Sequence, residues 1–278
     1  MTRYTHSRSA FVLRPVIYQQ GMTLIELMVG ITIGLLTIAV AMGALMISRG
    51  VSGTVSESSQ MQQQAAYAFR VLGQQLRQAG SVRLNLAANK GATETVLFDD
   101  VVAFETIFDR KINTITGKDN PAAGEYSLTT GYQNYKEETV KTAAGESLFR
   151  DCLAQQPSDT IITNQFVIKN GNELHCAGSD NTSQAIIKNV ADFRIQYLIQ
   201  TDALIGAPKI RVVNATTAAG DWTQVFGVSV CLDLVGTEII NTAGTNYTKC
   251  DGTSVTRGNR LHMIFRNVYQ LRSQGSTG

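Results

Sequence analysis

Gly21-Met22-Thr23-Leu24-Ile25-Glu26-Leu27 opens an apolar run that continues, without a charge, through residue 47. In residues 27–47 the only polar side chains are Thr32 and Thr37. At about 1.5 Å rise per residue that run spans roughly 30 Å as a helix, the thickness of a bilayer hydrocarbon core. Arg3, Arg8 and Arg14 precede it, with no acidic residue among them. By the positive-inside rule residues 1–21 then stay in the cytoplasm and the bulk of the chain crosses the membrane.

An ordinary secretory signal carries its small-residue cleavage site after the apolar core. Here Ser48-Arg49-Gly50-Val51-Ser52-Gly53 offers no such pattern, and the small residue, Gly21, stands before the core. Glu26 is the second oddity. A carboxylate at the edge of a lipid-spanning run costs several kcal/mol unless it is paired or functional.

Beyond the run, Val55, Met61, Ala65, Ala68, Phe69, Leu72, Leu76 and Ala79 recur at spacings of threes and fours, with no proline between residues 55 and 79. This periodicity predicts that one helix of about 55 residues continues as an amphipathic segment. Gly80 is its expected stop. Gly43, Gly50 and Gly53 weaken its middle by about 1 kcal/mol each relative to alanine.

Past Gly80 the period changes to two. Phe193, Ile195, Tyr197 and Ile199 share one face; Phe226, Val228, Val230, Leu232 and Leu234 share another; Leu261, Met263 and Phe265 alternate with His262, Ile264 and Arg266. Residues 160–168 and 95–104 are further strand candidates, while 111–148 and 201–221 read as long loops. No internal repeat stands out. The expected fold class is α+β: a long N-terminal transmembrane and amphipathic helix packed on an antiparallel β-sheet domain.

Composition agrees. An apolar fraction of 44% and a charged fraction of 17% support a packed domain. The net charge is +2, and subtracting the three leader arginines leaves 2 − 3 = −1, which provides no global field for nucleic acid. Cys152, Cys176, Cys231 and Cys250 are even in number, widely spaced and outside any C-x-x-C pair. They suit two disulfides in an oxidising compartment better than a metal site. Sequence order favours Cys152–Cys176 and Cys231–Cys250, although four cysteines allow three pairings.

The string from Gly21 to Leu27 resembles the processing site of type IV prepilins: a glycine, an apolar first mature residue, then Thr-Leu-Ile-Glu-Leu. The resemblance implies cleavage between Gly21 and Met22 by a prepilin peptidase and N-methylation of Met22. It also implies that Glu26 pairs with the amino terminus of a neighbouring subunit. Several C-terminal stretches are similar to the PilW-type minor pilins: Asp151-Cys152, Leu174-His175-Cys176, Val190 to Tyr197, Trp222 ahead of a valine-rich strand, and Leu261 to Arg272. The helix-breaking proline of many major pilins would fall at Gly43.

That likeness implies a leader at 1–21, a transmembrane assembly half at 22–48, an amphipathic half at 49–80 and a periplasmic or extracellular β-rich domain at 81–278. The implied protein spans the inner membrane once and is assembled into the pilus with a priming or tip complex. Its roles would lie in twitching motility, adhesion or DNA uptake. The implied partners are other minor and major pilins, the inner-membrane assembly platform and a tip adhesin, with DNA left open. No cofactor is implied.

Three rival readings belong to other classes. A pseudopilin of type II secretion shares the N-terminal site, but the stretch Phe265 to Arg272 favours the pilus. A DNA- or surface-binding module would use Lys136, Lys141, Lys209, Arg211, Lys249 and Arg257, which form no dense run interleaved with aromatics. An enzyme is disfavoured because the chain has no G-x-S-x-G, H-E-x-x-H or phosphate-binding glycine loop. His175 and His262 read as packed or surface residues, and Asp99, Asp100 and Asp109 lack EF-hand spacing.

Overall fold

The computed structural model describes residues 21–91, 93–105, 107–137, 145–201, 209–240 and 244–272. The chain separates into two compact units between Ser52 and Gly53. Helix α1 (Leu24–Gln78) supplies the regular structure of the first and opens the second. In the first unit no described residue is buried, and this one helix is long and apolar enough to cross a membrane. Within the apolar run, two threonines turn inward on their own backbone: Thr32 Oγ1 donates to the Val29 carbonyl at 2.9 Å and Thr37 Oγ1 to the Gly34 carbonyl at 2.8 Å. Hydroxyls satisfied in this way can face hydrocarbon without an unmet hydrogen bond.

In the second unit α1 becomes amphipathic. Met61, Ala65, Ala68, Leu72 and Leu76 are buried in the core, with Phe69 packed against them. Val55, expected on the same stripe, is 63% exposed. The helix ends at Gln78, and Gly80 takes a positive φ of 74°, where a Cβ would be strained. Its N–H donates to the Gly131 carbonyl at 2.8 Å, so the helix stop is also tied to the sheet.

Nine strands form two antiparallel sheets behind this helix. The first sheet runs in sequence order through β1 (Ile115–Thr116), β2 (Leu128–Gln133), β3 (Ile161–Lys169), β4 (Glu173–Ala177) and β5 (Ser183–Ile187). A turn with Asn189 at positive φ leads straight into the second. That sheet comprises β6 (Val190–Thr201), β7 (Lys209–Val213), β8 (Val225–Val235) and β9 (His262–Gln270), in the order β7-β6-β8-β9. Phe193, Ile195, Tyr197 and Ile199 of β6 and Val228, Val230, Leu232 and Leu234 of β8 all enter the core with the helix stripe. Alternation predicted that sharing of a face, except at Phe226, where a shift in register puts Val225 in the core instead.

Polar contacts fix the helix on the sheets. Glu57, almost wholly buried, accepts from Thr237 Oγ1 at 3.1 Å, from the Glu238 N–H at 2.8 Å and from the Thr237 N–H. A Cβ on Gly236 would strike that carboxylate. The Tyr132 hydroxyl lies 2.9 Å from both Gln75 Oε1 and the Arg150 carbonyl. The Tyr269 hydroxyl donates to the Phe69 carbonyl at 2.7 Å, while its ring occupies the space a side chain on Gly73 would need. Disulfides join Cys152 to Cys176 and Cys231 to Cys250. The first fastens the loop before β3 to β4, and the second fastens the hairpin Asn246–Thr248 and Ser254–Thr256 to β8.

Three expectations are corrected. Residues 95–104 are not a strand: only Ala103–Phe104 pairs, with Leu84–Asn85, and the side chains of Val96, Leu97 and Phe98 stay in solvent. Residues 111–148 are not one long loop, because β1 and the buried β2 lie within them. Residues 201–221 likewise hold β7 and a helical turn, Ala215–Ala218.

Candidate functional site

The start of α1 is built by three residues. Gly21, Met22 and Thr23 lie outside the helix, and Leu24 begins it. Thr23 Oγ1 accepts the Glu26 N–H at 3.3 Å. Glu26 Oε2 accepts in return from the Thr23 N–H at 3.3 Å and from Thr23 Oγ1 at 3.1 Å. The Thr23 carbonyl receives the Leu27 N–H at 3.2 Å. Thr-x-x-Glu with reciprocal side-chain bonds is a capping box, in which the third helical residue satisfies the amide of the cap. The signature is visible in the sequence as Thr23-Leu24-Ile25-Glu26.

The capping box gives the carboxylate a local reason to exist without using it up. A negative charge in the first turn is favoured by the partial positive charge of the helix N-terminus. Only Oε2 takes part; Oε1 makes no hydrogen bond among the described residues. Glu26 and Met22 are both exposed. The arrangement therefore engages one carboxylate oxygen with Thr23 and leaves the other without a hydrogen bond among the described residues, in the first turn of the helix.

Residues 17–42 match the family model of the prokaryotic N-terminal methylation motif. That span contains Gly21, Met22 and Glu26. No curated protein matches the chain at a significant level. Among solved structures, a type IV-like pilin from Thermus thermophilus aligns at 10% identity over 77% of this chain and 98% of its own, with a TM-score of 0.37. A likeness that loose carries no argument. The methylation motif rests on the N-terminal match, and the helix-on-sheet architecture on the structure itself.

The other candidates are dispersed. His175 Nε2 lies 3.1 Å from Glu173 on the first sheet, and His262 Nδ1 lies 2.9 Å from the buried Asp233 on the second. Burial raises the Asp233 carboxyl above its ordinary value, against the pull of the His262 contact. Asp100 pairs with Lys90 at 2.8 Å, and Asp109 caps the short helix Arg110–Asn113. Arg257 lies over the Tyr247 ring at 5.8 Å, Lys136 donates to the Ser158 carbonyl, and Lys209 and Arg211 stand on β7. The Lys249 carbonyl receives Arg266. Lys141 lies outside the described residues. Among the described residues no group of three or more His, Cys, Asp or Glu could hold a metal ion.

Proposed function

We propose that the chain is a subunit of a type IV pilus, specifically a PilW-type minor pilin that enters the priming or tip complex. In this reading residues 1–21 are a cytoplasmic leader, and prepilin peptidase cuts between Gly21 and Met22 and methylates the new terminus. Residues 22–48 anchor the protein in the inner membrane and later pack in the filament. Residues 49–80 and 81–278 form the periplasmic domain. Its partners are the other minor and major pilins and the assembly platform; motility, adhesion and DNA uptake are the uses that follow.

The observation that carries the reading is the half-used carboxylate. Cleavage after Gly21 would create an ammonium one residue ahead of the Thr23 cap. An ammonium and a carboxylate that meet in an apolar bundle offset most of the cost of burying either alone. Glu26 Oε1 is available for that meeting, and contact between neighbouring subunits sets their register.

Two substitutions separate this role from plain capping. Glutamine can take the third position of a capping box, so Glu26→Gln keeps the helix start and removes the charge, whereas Glu26→Ala removes both. Pairing predicts that both variants remain in the membrane and that both fail to enter sheared pili. Normal incorporation of Glu26→Gln would reduce Glu26 to a cap. Mass spectrometry of the extracted protein should find N-methylated Met22 first; an intact start at Met1 would overturn the assignment. Deletion of the gene should abolish surface pili, with recovery when retraction is disabled.

A further inference from the structure

A cleft of about 440 Å³ lies within the second unit, between α1 and the first sheet. Tyr67, Arg70 and Gln74 of the helix form one wall, and the loop Arg150–Ala154 with the outermost described strand, β5, forms the other. The loop is firmly held. Its Cys152 is joined to Cys176 of β4, and the Cys152 N–H donates to Asn164 Oδ1 at 2.7 Å. Asp151, almost wholly buried, accepts the Leu153 and Gln155 N–H groups at 2.9 Å each, and a Cβ on Gly178 would strike its carboxylate. Gln75 of the helix and Tyr132 of β2 both donate to the Arg150 carbonyl, at 3.4 and 2.9 Å. Ala154 takes a φ of 62°, a left-handed conformation that only such surroundings hold in a residue with a side chain.

Two guanidiniums stand on this frame. Arg150 commits Nη1 to the Ala154 carbonyl at 2.9 Å, and Arg70 lies over the Tyr67 ring at 5.7 Å. Both residues are exposed, and neither makes an ion pair among the described residues. Among the described residues that line the cleft, the charged ones are these two arginines and Asp151, which leaves 2 − 1 = +1. Gln74 and Gln184 add exposed amides, which donate and accept, while Val71, Leu153 and Ile186 supply apolar carbon. A guanidinium meets a carboxylate through two parallel hydrogen bonds. A surplus of one positive charge matches a single carboxylate rather than a polyanion, and the near-neutral chain adds no wider field for nucleic acid. Amides beside apolar carbon suit a ring with hydroxyls on its edge and C–H groups on its faces. The volume falls within the range of about 300–1,000 Å³ of small-ligand pockets.

We propose that this cleft binds a carboxylated sugar, a hexuronate unit of a glycan, with Arg70 and Arg150 on the carboxylate and Gln74 and Gln184 on the hydroxyls. The inference stands on the cleft alone and does not require the minor-pilin assignment.

The test passes the detergent-solubilised full-length chain over surfaces bearing glucuronate, glucose or phosphate groups. Retention is expected on glucuronate and not on the other two. Arg70→Gln and Arg150→Gln should each weaken glucuronate binding by about tenfold, the loss of one charge-assisted contact. Arg77→Gln removes the same charge from α1 outside the cleft and should leave binding unchanged. Unaltered melting and intact disulfides show that each variant is folded. Equal retention on phosphate would reduce the cleft to a general anion site, and equal retention on glucose would remove the role of the arginines; either overturns the proposal. So would release of the chain from glucuronate by duplex DNA, an equal loss in Arg77→Gln, or no glucuronate binding by the folded parent. Failure here with correct processing at Met22 would leave the pilin assignment standing.

Discussion

The two halves of α1 solve one problem in opposite ways. Both halves are helical and rich in apolar residues. Up to Ser52 nothing is buried, and the apolar side chains cover the helix all round. From Gly53 on, one stripe is buried and the other face carries Gln, Ser and Arg. A helix uniformly apolar has its solvent chosen for it, because only lipid or other such helices can surround it. A striped helix needs a protein surface, and here it finds two sheets. The membrane half is therefore readable from composition, and the second half only from period.

The largest expected effect sets these halves against each other. Leu72 is fully buried among helix and sheet side chains, whereas Leu36 is exposed. Leu72→Ala should cost the domain about 2–5 kcal/mol, the range for emptying a packed leucine site. Leu36→Ala should leave the domain's melting unchanged. Thermal unfolding of the detergent-solubilised chain, followed by sheet circular dichroism, measures both. Equal losses would mean that the division at Ser52 and Gly53 has no energetic meaning.

A second contrast concerns glycine. At Gly73 an added methyl would run into the Tyr269 ring, while at Gly43 it would meet nothing. Gly73→Ala should destabilise the domain by about 1–3 kcal/mol through overpacking. Gly43→Ala should strengthen the helix by about 1 kcal/mol. The same chemical change is thus expected to have opposite signs on one helix. Two losses in the melting comparison would place Gly43 against a surface that the isolated chain does not show.

The same division governs how much of the molecule was legible in advance. The apolar run, the helix stripe, the stop at Gly80 and the alternating strands β6 and β8 were readable because each buries a regular pattern on one side. β2 was not. Leu128-Thr129-Thr130-Gly131-Tyr132-Gln133 is poor in apolar residues, yet nearly all of it is buried. Gly131 is small because the Asn113 carbonyl presses on it, and Tyr132 is tolerated because its hydroxyl finds Gln75 and Arg150. Tertiary partners made that strand, and no local pattern records them. Residues 95–104 failed the other way: only Ala103–Phe104 pairs, and Val96, Leu97, Phe98, Val101 and Val102 stay exposed. At the candidate site the carboxylate was conspicuous, but its bond to Thr23 followed from a four-residue signature overshadowed by the membrane argument.

The smallest expected effect tests whether surface charge contributes to the sheets at all, against the buried contacts that hold the helix. Glu173 on β4 is held down to a pKa of about 2, first by Asn170, then by His175 and Lys188. At neutral pH it is ionised in the folded and the unfolded chain, and these contacts count in full. As pH falls through the ordinary value of 4.5, the unfolded chain takes up the proton first, while the folded carboxylate resists until about 2. Stability contributed by this group is therefore present above about 4.5 and drains away between there and about 2. Asp151 and Asp233 act in the opposite direction, because burial raises both, and protonation relieves that cost as the pH drops. Glu173→Gln leaves those two groups in place, so subtracting the variant's melting curve from the parent's cancels them. The parent's advantage should be small near neutrality and should shrink steadily below pH 4.5. An advantage that stays constant into acid would show that the Glu173 cluster orders the side chains without stabilising the fold.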